Sequence, residues 1–591
     1  MNKEWSLFND KAIINFSKVY PDTFEKVLES EGFRSVLESF LMRSQVTQDR
    51  NYGLVKKYTH SDILSGRIDA LVKIGKMLTI MNSRELKDTF PQYGFVFDHQ
   101  GKFRALAEDL YTYWRNLERY CILFDGSPEG LGSSSFIDAK TQFDQLILNL
   151  YRKVSNNISM NKPKVYRQVP AGTNVGLILK DLVWPIPEEY HQLKWIPFIK
   201  EAVIESPFIT YPKRNTRDGF FEKLDKNPIS RASLNNNHFI ALPIWVGDLL
   251  CYVFCHRNFM THLISLTNLF EIATEVEAAG RKPDLLLLFG VNDKAGAFDG
   301  FYIDEKNDLI LGYISNDDRY DYFGYMKKMI LTLHNTMQME RGNLPIHGAM
   351  VQIKTRDGSS ANVVIMGDSG AGKSESIEAF RVLADDYISD LLVIFDDMGI
   401  FRRSNTGEKI KGYGTEIGAF VRLDDLDAGY AFKQLDRSIF MNPDRINARL
   451  ITPITPYEDI IEGYPVDLFL YANNFDELGD GSAIEFFDNK EQAIELFRSG
   501  KRMAKGTTTE SGLTTSYFAN PFGPYQNQEL CDELIDRFFE DMFKQDVKVG
   551  QIKTQLGIKG KEKTGPEQAA LDLFEVMKNL NMKAGQKKSS L

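Results

Sequence analysis

The sequence has few cysteines, no long apolar run and no excess of basic residues, and each shortage excludes a class of protein. Its four cysteines, Cys121, Cys251, Cys255 and Cys531, are too few and too scattered for a disulfide framework. No uninterrupted apolar run reaches the about 18 residues that a transmembrane helix needs. The net charge of −10 argues against a general nucleic-acid or membrane-surface binder, because both need basic faces.

The first residues, MNKEWSLFNDK, contain no apolar signal region, so we expect a cytoplasmic protein. Neither nucleic acid nor a membrane is expected among its partners, and the sequence does not specify an oligomeric state. The spacing Cys251-x-x-x-Cys255-His256 also occurs in metal sites. Because Phe239 to Phe259 is apolar, we predict a strand and a buried helix there instead.

Composition and periodicity divide the chain into four regions and predict an α/β protein with a mostly helical N-terminal extension. In residues 1–160, apolar residues recur at intervals of three and four over Thr23–Ser44 and Phe103–Leu123, which indicates helices. Residues 161–330 and 331–555 contain short apolar runs rich in β-branched and aromatic residues. Residues 556–591 form a Lys- and Gly-rich tail with one possible helix, Pro566–Leu580. The predicted strands include Val175–Leu179, His238–Val246, Leu285–Phe289, Asn362–Met366, Leu391–Phe395 and Asp467–Tyr471.

The strongest motif is Gly367-Asp-Ser-Gly-Ala-Gly-Lys-Ser374, which matches the phosphate-binding pattern G-x-x-x-x-G-K-[ST]. A predicted strand, Ala361–Met366, precedes it, and a predicted helix, Glu375–Leu383, follows it. Backbone N–H groups of such a loop converge on phosphate oxygens, and the helix N-terminus adds positive potential. We therefore predict that a nucleotide or another polyphosphate binds here and that a phosphoryl group is transferred. The residues assigned to it are Gly367, Asp368, Ser369, Gly370, Ala371, Gly372, Lys373, Ser374 and Glu375.

An acidic pair, Asp396-Asp397, follows the predicted strand Leu391–Phe395 shortly after this loop. Two carboxylates at the end of a buried strand near a phosphate loop suit a divalent metal site. A second pair, Asp385-Asp386, has no predicted strand before it. The later pair is therefore the preferred metal site.

The order of these motifs resembles ATP-dependent phosphoenolpyruvate carboxykinase over residues 280–520. Tyr322-Phe-Gly-Tyr-Met-Lys-Lys328 resembles the family's Tyr-Gly-Gly-Glu-Met-Lys-Lys, and Pro345-Ile-His347 resembles its Ser-Met-His. Asn447-Ala-Arg449 is similar to its Asn-Thr-Arg. The phosphate loop and Glu416-Ile-Gly instead look like HPr kinase/phosphorylase, a family with the same kinase core.

The resemblance implies two mixed α/β lobes with the site in the cleft between them. Residues 161–330 would bind the substrate, and residues 331–555 would bind the nucleotide and metals. Such an enzyme converts oxaloacetate to phosphoenolpyruvate and CO₂ with a nucleoside triphosphate. Lys328, His347 and Asp397 would bind the catalytic metal, typically Mn²⁺, with Lys328 as a neutral amine. Ser374 would hold a nucleotide-bound Mg²⁺.

The resemblance also assigns roles around the transferred phosphoryl group and the substrate. Lys373 and Arg449 would balance the charge of the transferred phosphoryl group, and Arg449 and Thr515 would contact the nucleotide. Tyr322 would lie beside the substrate. The carboxylates of the substrate require an arginine fork. The family's Arg-Ser-Pro-Lys-Asp segment, which provides it, has no clean copy in this sequence. We prefer Arg214 or Arg217, within Tyr211–Asp218, to Arg84, within Ser83–Asp88.

The departures from the family pattern keep other functions open. Ala419 stands near the position of a phosphate-contacting lysine, and Thr509 stands near that of an arginine. ATP is the first choice of donor, with GTP or pyrophosphate as alternatives. A kinase or phosphorylase acting on another small-molecule or protein hydroxyl would use His347 or Asp396 as general base. A non-catalytic nucleotide sensor, with the helical extension as its interaction module, is the third hypothesis.

Overall fold

The structure, a computed structural model, is mixed α/β with several mixed sheets, as the sequence predicts. Its backbone divides into two units, Met1–Asp181 with Pro197–Phe208, and Leu182–Ile196 with Ile209–Leu591. None of the helices it describes is long and apolar enough to cross a membrane. The described residues are 5–8, 10–17, 20–47, 49–59, 61–124, 133–160, 172–293, 296–368, 370–373, 376, 379–380, 383, 387–403, 409–423, 435, 437–479, 481–504, 512–562 and 564–589.

The first unit combines a group of helices with one sheet. Its strands lie in the order β1 to β5; β2, β3 and β4 are parallel, and β1 and β5 are antiparallel to their neighbours. The strands are β1 (Trp5–Phe8), β2 (Lys11–Asn15), β3 (Glu118–Phe124), β4 (Val175–Lys180) and β5 (Phe198–Ile204). The described helices are α1 (Phe24–Glu29), α2 (Glu31–Thr47), α3 (Arg50–Thr59), α4 (Leu64–Ile80), α5 (Ser83–Thr89), α6 (Phe95–Asp98), α7 (Gln100–Asn116) and α8 (Ser133–Ser159).

The predicted helix over Thr23–Ser44 is confirmed by α1 and α2, but the one over Phe103–Leu123 is wrong in its second half. Helix α7 ends at Asn116, and Glu118–Phe124 is strand β3. Tyr120 to Leu123 are all buried. A strand covered on both faces is apolar at every position, so its pattern does not differ from that of a buried helix.

The second unit contains the phosphate loop and two large groups of strands. Its helices are α9 (Met260–Ser265), α10 (Glu275–Ala278), α11 (Phe323–Glu340), α12 (Tyr457–Ile461), α13 (Lys490–Ser499), α14 (Gln528–Lys544) and α15 (Thr564–Ser589). Its strands, the first beginning at the unit boundary, are β6 (Phe208–Thr210), β7 (Glu222–Lys223), β8 (Ala232–Ser233), β9 (Phe239–Val246), β10 (Leu249–His256), β11 (Glu271–Ile272), β12 (Leu285–Asp293), β13 (Asp299–Asp304), β14 (Leu309–Ser315), β15 (Leu344–Thr355), β16 (Ser360–Met366), β17 (Ile388–Arg402), β18 (Lys411–Gly414), β19 (Gly418–Arg422), β20 (Ile439–Met441), β21 (Arg449–Pro453), β22 (Tyr464–Pro465), β23 (Leu468–Asn473), β24 (Ile484–Phe486), β25 (Arg502–Met503), β26 (Leu513–Thr514) and β27 (Lys548–Lys553).

The first group of strands in this unit lies in the order β9-β10-β12-β14-β13-β7. Strands β10, β12 and β14 are parallel, whereas β9 and β10 form an antiparallel hairpin. The sequence predicts a strand and a buried helix within Phe239–Phe259. The helix is wrong, because β9 and β10, which form most of this apolar stretch, are both buried strands. Cys251 and Cys255 lie four residues apart on β10, about 13 Å along an extended strand, which is too far to bind one metal ion.

The second group positions the predicted site, in the order β22-β18-β17-β15-β16-β23-β27-β24. Strands β15 and β16 are antiparallel, and the phosphate loop begins directly after β16. Strand β17 pairs with the other edge of β15, so that β15 lies between the loop and the acidic pair. Each of the six predicted strands falls on an observed one, and α15 contains the predicted helix Pro566–Leu580. Most of the predicted helix Glu375–Leu383 falls outside the described residues.

Candidate functional site

The carboxylate of Asp397 lies at the centre of a buried cluster of charged side chains in the second unit. Lys328 Nζ donates to its Oδ2 at 2.6 Å, and Lys327 Nζ donates to the same oxygen at 2.8 Å. Its Oδ1 lies 3.0 Å from His347 Nε2 and 3.6 Å from Lys373 Nζ. Four groups from three separate segments of the chain thus converge on one carboxylate.

Three elements position this cluster. The two lysines lie in the second turn of α11, which is buried along nearly its whole length and packs against β15 and β17. His347 lies on β15 and Asp397 on β17, where Asp397 pairs with Gly348. His347 itself pairs with Met398, so the imidazole and the carboxylate come from neighbouring rather than directly opposite positions of the two strands.

The backbone of Asp397 is strained. Its φ is 113°, a value that side-chain-bearing residues rarely adopt, and the β15–β17 register shifts between Met350 and Val351. A residue in such a conformation costs on the order of 1–3 kcal/mol, and these residues cluster at functional sites. The register shift lies at Ile394, three residues before Asp397 on β17, so at Asp397 the departure from regular strand geometry is in its own backbone φ.

His347 presents a lone pair to Asp397. Its Nδ1 lies 2.6 Å from the carbonyl oxygen of Ala519, which can only accept, so Nδ1 carries the proton. Burial, with the charge of Lys373, lowers the pKa of His347, and a neutral imidazole leaves Nε2 unprotonated. Phe518 and Ala519 both have left-handed backbone, with φ of 49° and 47°, which places this carbonyl. Two lone pairs, on Nε2 and on Asp397 Oδ1, therefore face each other, and a cation between them would remove the repulsion.

The donor atoms fit a divalent metal ion. No group of three His, Cys, Asp or Glu side chains could hold a metal ion within the described part of the chain, so the third side-chain donor that this cluster offers is Lys328. Two ligand atoms at right angles, with bonds of about 2.1 Å, lie about 3.0 Å apart. His347 Nε2 and Asp397 Oδ1 have this separation. Imidazole and carboxylate together suit Mn²⁺ or Zn²⁺ better than Ca²⁺.

Lys327 and Lys328 have pKa values displaced in opposite directions. Burial and the neighbouring Lys327 charge lower the pKa of Lys328, although Asp397 opposes this. Burial also disfavours the charged form of Lys327, but its attraction to Asp397 and Glu416 outweighs burial and raises its pKa. Lys327 therefore holds its proton more firmly, and Lys328 is the lysine that loses a proton more easily and would serve as a neutral ligand.

Glu416 is the partner that distinguishes the two lysines. Its Oε1 lies 3.0 Å from Lys327 Nζ, and neither side chain is more than 1% exposed. Burial raises the pKa of Glu416. In contrast, the surrounding cations hold the pKa of Asp397 well below its usual range despite its burial. The site contains one carboxylate that stays ionised and a second that takes up a proton more easily.

The phosphate loop is attached to the same strands. Gly367 N–H donates to the carbonyl of His347 at 3.0 Å. Lys373 is buried, and its Nζ has no hydrogen-bond partner among the described residues, so its charge is available to an anion. Ser369, Ser374 and Glu375, also assigned to this site, lie outside the described residues.

Gly372 is required by the loop geometry. Its φ is 114°, and a Cβ there would lie 2.8 Å from Thr554 Oγ1 and 2.7 Å from Leu556 Cδ1. Thr554 also donates to the carbonyl of Ala371 at 3.2 Å, and Asn474 Nδ2 donates to that of Gly370 at 3.1 Å. These two contacts hold the loop from the sides of β23 and β27 through its carbonyl groups.

Asp368 connects the loop with the segment that contains Thr515. Its Oδ2 lies 3.2 Å from Arg502 Nε on β25, which pairs with β26. Thr515 follows β26 and is exposed. His347 Nδ1 lies 3.7 Å from Asp368 Oδ1, so the loop and the metal-binding residues share one electrostatic environment.

The ring of Phe420 brings Arg449 and Tyr322 to the cluster. The Arg449 guanidinium lies 5.0 Å from its centroid, and Lys327 Nζ lies 5.7 Å from it. The Tyr322 ring lies 6.1 Å away, at the residue that precedes α11. Cations over an aromatic face are stabilised by its quadrupole, so Phe420 stabilises the charges of Arg449 and Lys327, and it also contacts the Tyr322 ring.

A second ring, Phe522, distinguishes Arg217 from Arg214. The Arg217 guanidinium and Lys328 Nζ lie 5.3 Å and 4.7 Å from its centroid, and the His347 ring lies 6.2 Å from it. Arg217 is half-buried, and burial lowers its pKa. Arg214 instead pairs with Asp218 at 3.0 Å, with 40% of its side chain exposed. The structure thus places Arg217 beside Lys328 and His347, two of the predicted metal ligands.

The remaining sequence candidates lie elsewhere. Asp396 is half-buried on β17, opposite Ala349 in the register of β15. Arg84 lies on α5 in the first unit. Ala419, at the position of the expected lysine, is buried on β19. Asp385-Asp386 and Thr509 fall outside the described residues.

Sequence reasoning did not assign four of these contact residues, Glu416, Phe420, Arg502 and Phe522, to the site. Only Glu416 had a signal, in the stretch Glu416-Ile-Gly. No protein-family model matches the chain, and no curated protein is significantly similar to it.

Proposed function

We propose that this chain is a phosphoenolpyruvate carboxykinase-like enzyme with a carboxykinase-type catalytic core in its second unit. It would decarboxylate oxaloacetate and transfer the γ-phosphoryl group of a nucleoside triphosphate, ATP as first choice, to the enolate. The observation that supports this most is the Asp397 carboxylate, within 3.6 Å of Lys328, His347 and Lys373 beside the phosphate loop. These residues are the ones whose order along the chain resembles that family.

The reaction moves negative charge between the substrates. The bond to the departing carboxylate breaks, CO₂ leaves, and the electron pair remains as an enolate. The enolate oxygen then bonds to the γ-phosphorus, and the nucleoside diphosphate leaves. Such a transition state is stabilised mainly by positioned positive charge. A divalent ion held by Lys328, His347 and Asp397 would, when bound, stabilise the enolate charge.

The protein's own groups have separate tasks in this proposal. Lys373 and Arg449 neutralise the transferring phosphoryl group, and Lys327 keeps its charge through Glu416. Arg217 binds a carboxylate of the substrate, since its guanidinium lies over the same Phe522 ring as Lys328. The two aromatic rings exclude water from a site whose product enolate water would protonate.

A second candidate is a kinase or phosphorylase that acts on another hydroxyl group. The buried Glu416 beside Lys327, and Ala419 in place of the expected lysine, favour it. The unprotonated Nε2 of His347 would accept the proton of the hydroxyl. In that reaction no carbon–carbon bond breaks, so Arg217 would not be needed.

The test is ³¹P NMR of the purified full chain with oxaloacetate, Mn²⁺ and ATP, GTP or pyrophosphate in turn. We expect phosphoenolpyruvate with at least one donor, and none without oxaloacetate. Lys373→Ala should lower the rate by about 100-fold or more, because it removes charge from the transition state. Lys354→Ala is the control, since Lys354 is a half-exposed lysine on β15 paired with Asp390.

Absence of phosphoenolpyruvate with all three donors would overturn the proposal. Phosphorylation of a serine-bearing acceptor, without turnover of oxaloacetate, would instead support the kinase. Nucleotide binding that is lost in Lys373→Ala, with neither reaction in the wild type, would support a non-catalytic sensor.

A further inference from the structure

The helical part of the first unit contains a cavity of about 160 Å³ that is partly open. Helices α1, α2, α4, α7 and α8 all contribute to its lining. Protein interiors contain few voids larger than a water molecule, and a water occupies about 30 Å³ in the liquid. This cavity is therefore several times larger than an ordinary packing defect.

The lining is almost wholly apolar. None of the described residues that form it is charged, and its aromatic members are Phe33, Phe103, Tyr111, Trp114 and Tyr151. The hydroxyl of Tyr151 donates to Glu108 at 2.6 Å, so its polar end is already bonded. Water needs two to four polar partners, which such walls do not provide.

Gly75 is a second and independent observation. It lies inside helix α4 and lines the cavity, although glycine destabilises a helix interior by about 0.5–1 kcal/mol relative to alanine. No backbone requirement explains it, because its φ is not positive. A Cβ there would approach nothing closer than Leu28 Cδ2 at 3.5 Å, an ordinary contact. A side chain would fit, and its absence keeps the space open.

We infer that this cavity is a binding site for a small uncharged apolar molecule of about the size of one aromatic ring. A cavity of about 150 Å³ lined by leucine, isoleucine and phenylalanine stays dry and binds benzene, which sets the size of the occupant. Five aromatic side chains offer edge and face contacts to such a ring. An ionised group is excluded, since no lining residue compensates a buried charge.

The experiment uses fluorobenzene and ¹⁹F NMR on the full chain, with 4-fluorobenzoate as the charged counterpart. Fluorobenzene should bind saturably with a submillimolar Kd, and 4-fluorobenzoate should not bind. Gly75→Leu should weaken fluorobenzene binding at least tenfold by filling the space. Gly53→Leu is the matched control: Gly53 also lies within a helix, α3, and a Cβ there meets nothing within 4 Å. Gly53→Leu should bind fluorobenzene with the same affinity as the wild type.

Fluorobenzene binding that is absent or unsaturable up to its solubility limit would overturn the inference. Equal binding by wild type and Gly75→Leu, or equal binding of 4-fluorobenzoate, would do the same. If Gly75→Leu does not fold, the fluorobenzene affinity of Gly75→Ala is measured instead and decides whether the cavity is the binding site. Gly75→Ala adds one methyl group without a clash, so affinity should fall at least twofold, and unchanged affinity counts against the site.

Discussion

Lys327 and Glu416 form an ion pair of 3.0 Å in which neither side chain is more than 1% exposed. Lys327 also donates to Asp397, so the pair connects the strand segment around Glu416 to the acidic centre of the site. Breaking a buried pair is costly, because it leaves an uncompensated charge in a medium of low dielectric constant. The pair therefore contributes to the stability of the second unit and also sets the charge on Lys327.

Glu416→Gln should destabilise the protein by about 1–3 kcal/mol, because Lys327 keeps only one of its two carboxylate partners. Urea unfolding of the wild type, Glu416→Gln, Lys327→Met and the double variant measures the coupling. We expect a coupling energy of about 1–3 kcal/mol. Additive effects of the two substitutions would show that the pair has no such role.

Asp397→Asn should abolish tight Mn²⁺ binding. Loss of a ligand should exceed the about 10–100-fold weakening that is typical when an outer-shell partner of a metal site is mutated. Isothermal titration calorimetry with MnCl₂ measures it. Asp396→Asn is the neighbouring control, because Asp397 is the carboxylate that the two lysines and His347 share. Equal Mn²⁺ affinity in Asp397→Asn and wild type would exclude this metal site.

Arg217→Ala should raise KM for the carboxylate substrate by about 10–100-fold with a smaller effect on kcat, because it removes a charge-assisted contact in the ground state. Arg214→Ala should have little effect, since Arg214 is partly exposed and bound to Asp218. Steady-state kinetics of both variants separates them. A larger effect from Arg214→Ala would assign substrate binding to the other arginine.

Two buried histidines should make stability fall in mild acid. Burial lowers the pKa of His256 and of His334 to about 4, against about 6.5 in the unfolded chain. Between these values the unfolded state binds more protons, so the free energy of unfolding decreases as pH falls from about 6.5 to 4. Each histidine contributes at most about 3 kcal/mol to this loss.

Urea unfolding at several pH values between 4 and 8 measures this dependence. His334→Gln should flatten the profile below pH 6.5, whereas replacement of the exposed His191 by Gln should leave it unchanged. An identical slope in His334→Gln and wild type would show that the titrating groups are others.

The strands around the phosphate loop are properties that local sequence determines. Gly372 has a φ of 114° that favours glycine, and the apolar runs before and after the loop have too few polar residues to be anything but buried. The mixed α/β class and the motif order follow from such local patterns. The same patterns were misleading at Glu118–Phe124 and Leu249–His256, because a strand covered on both faces has no period of two.

Only the tertiary structure decided which charges share a site. Asp397 rather than Asp396 meets the lysines, and its backbone φ of 113° departs from regular strand geometry at this position. Arg217 rather than Arg214 lies over Phe522, and Glu416 reaches Lys327 from the connection between β18 and β19, 89 positions away. These contacts join segments that are distant along the chain, through burial and long-range pairing. The conformational propensity of a single residue depends on neither. The sequence by itself determined the chemical groups, and packing determined their neighbours and therefore their protonation.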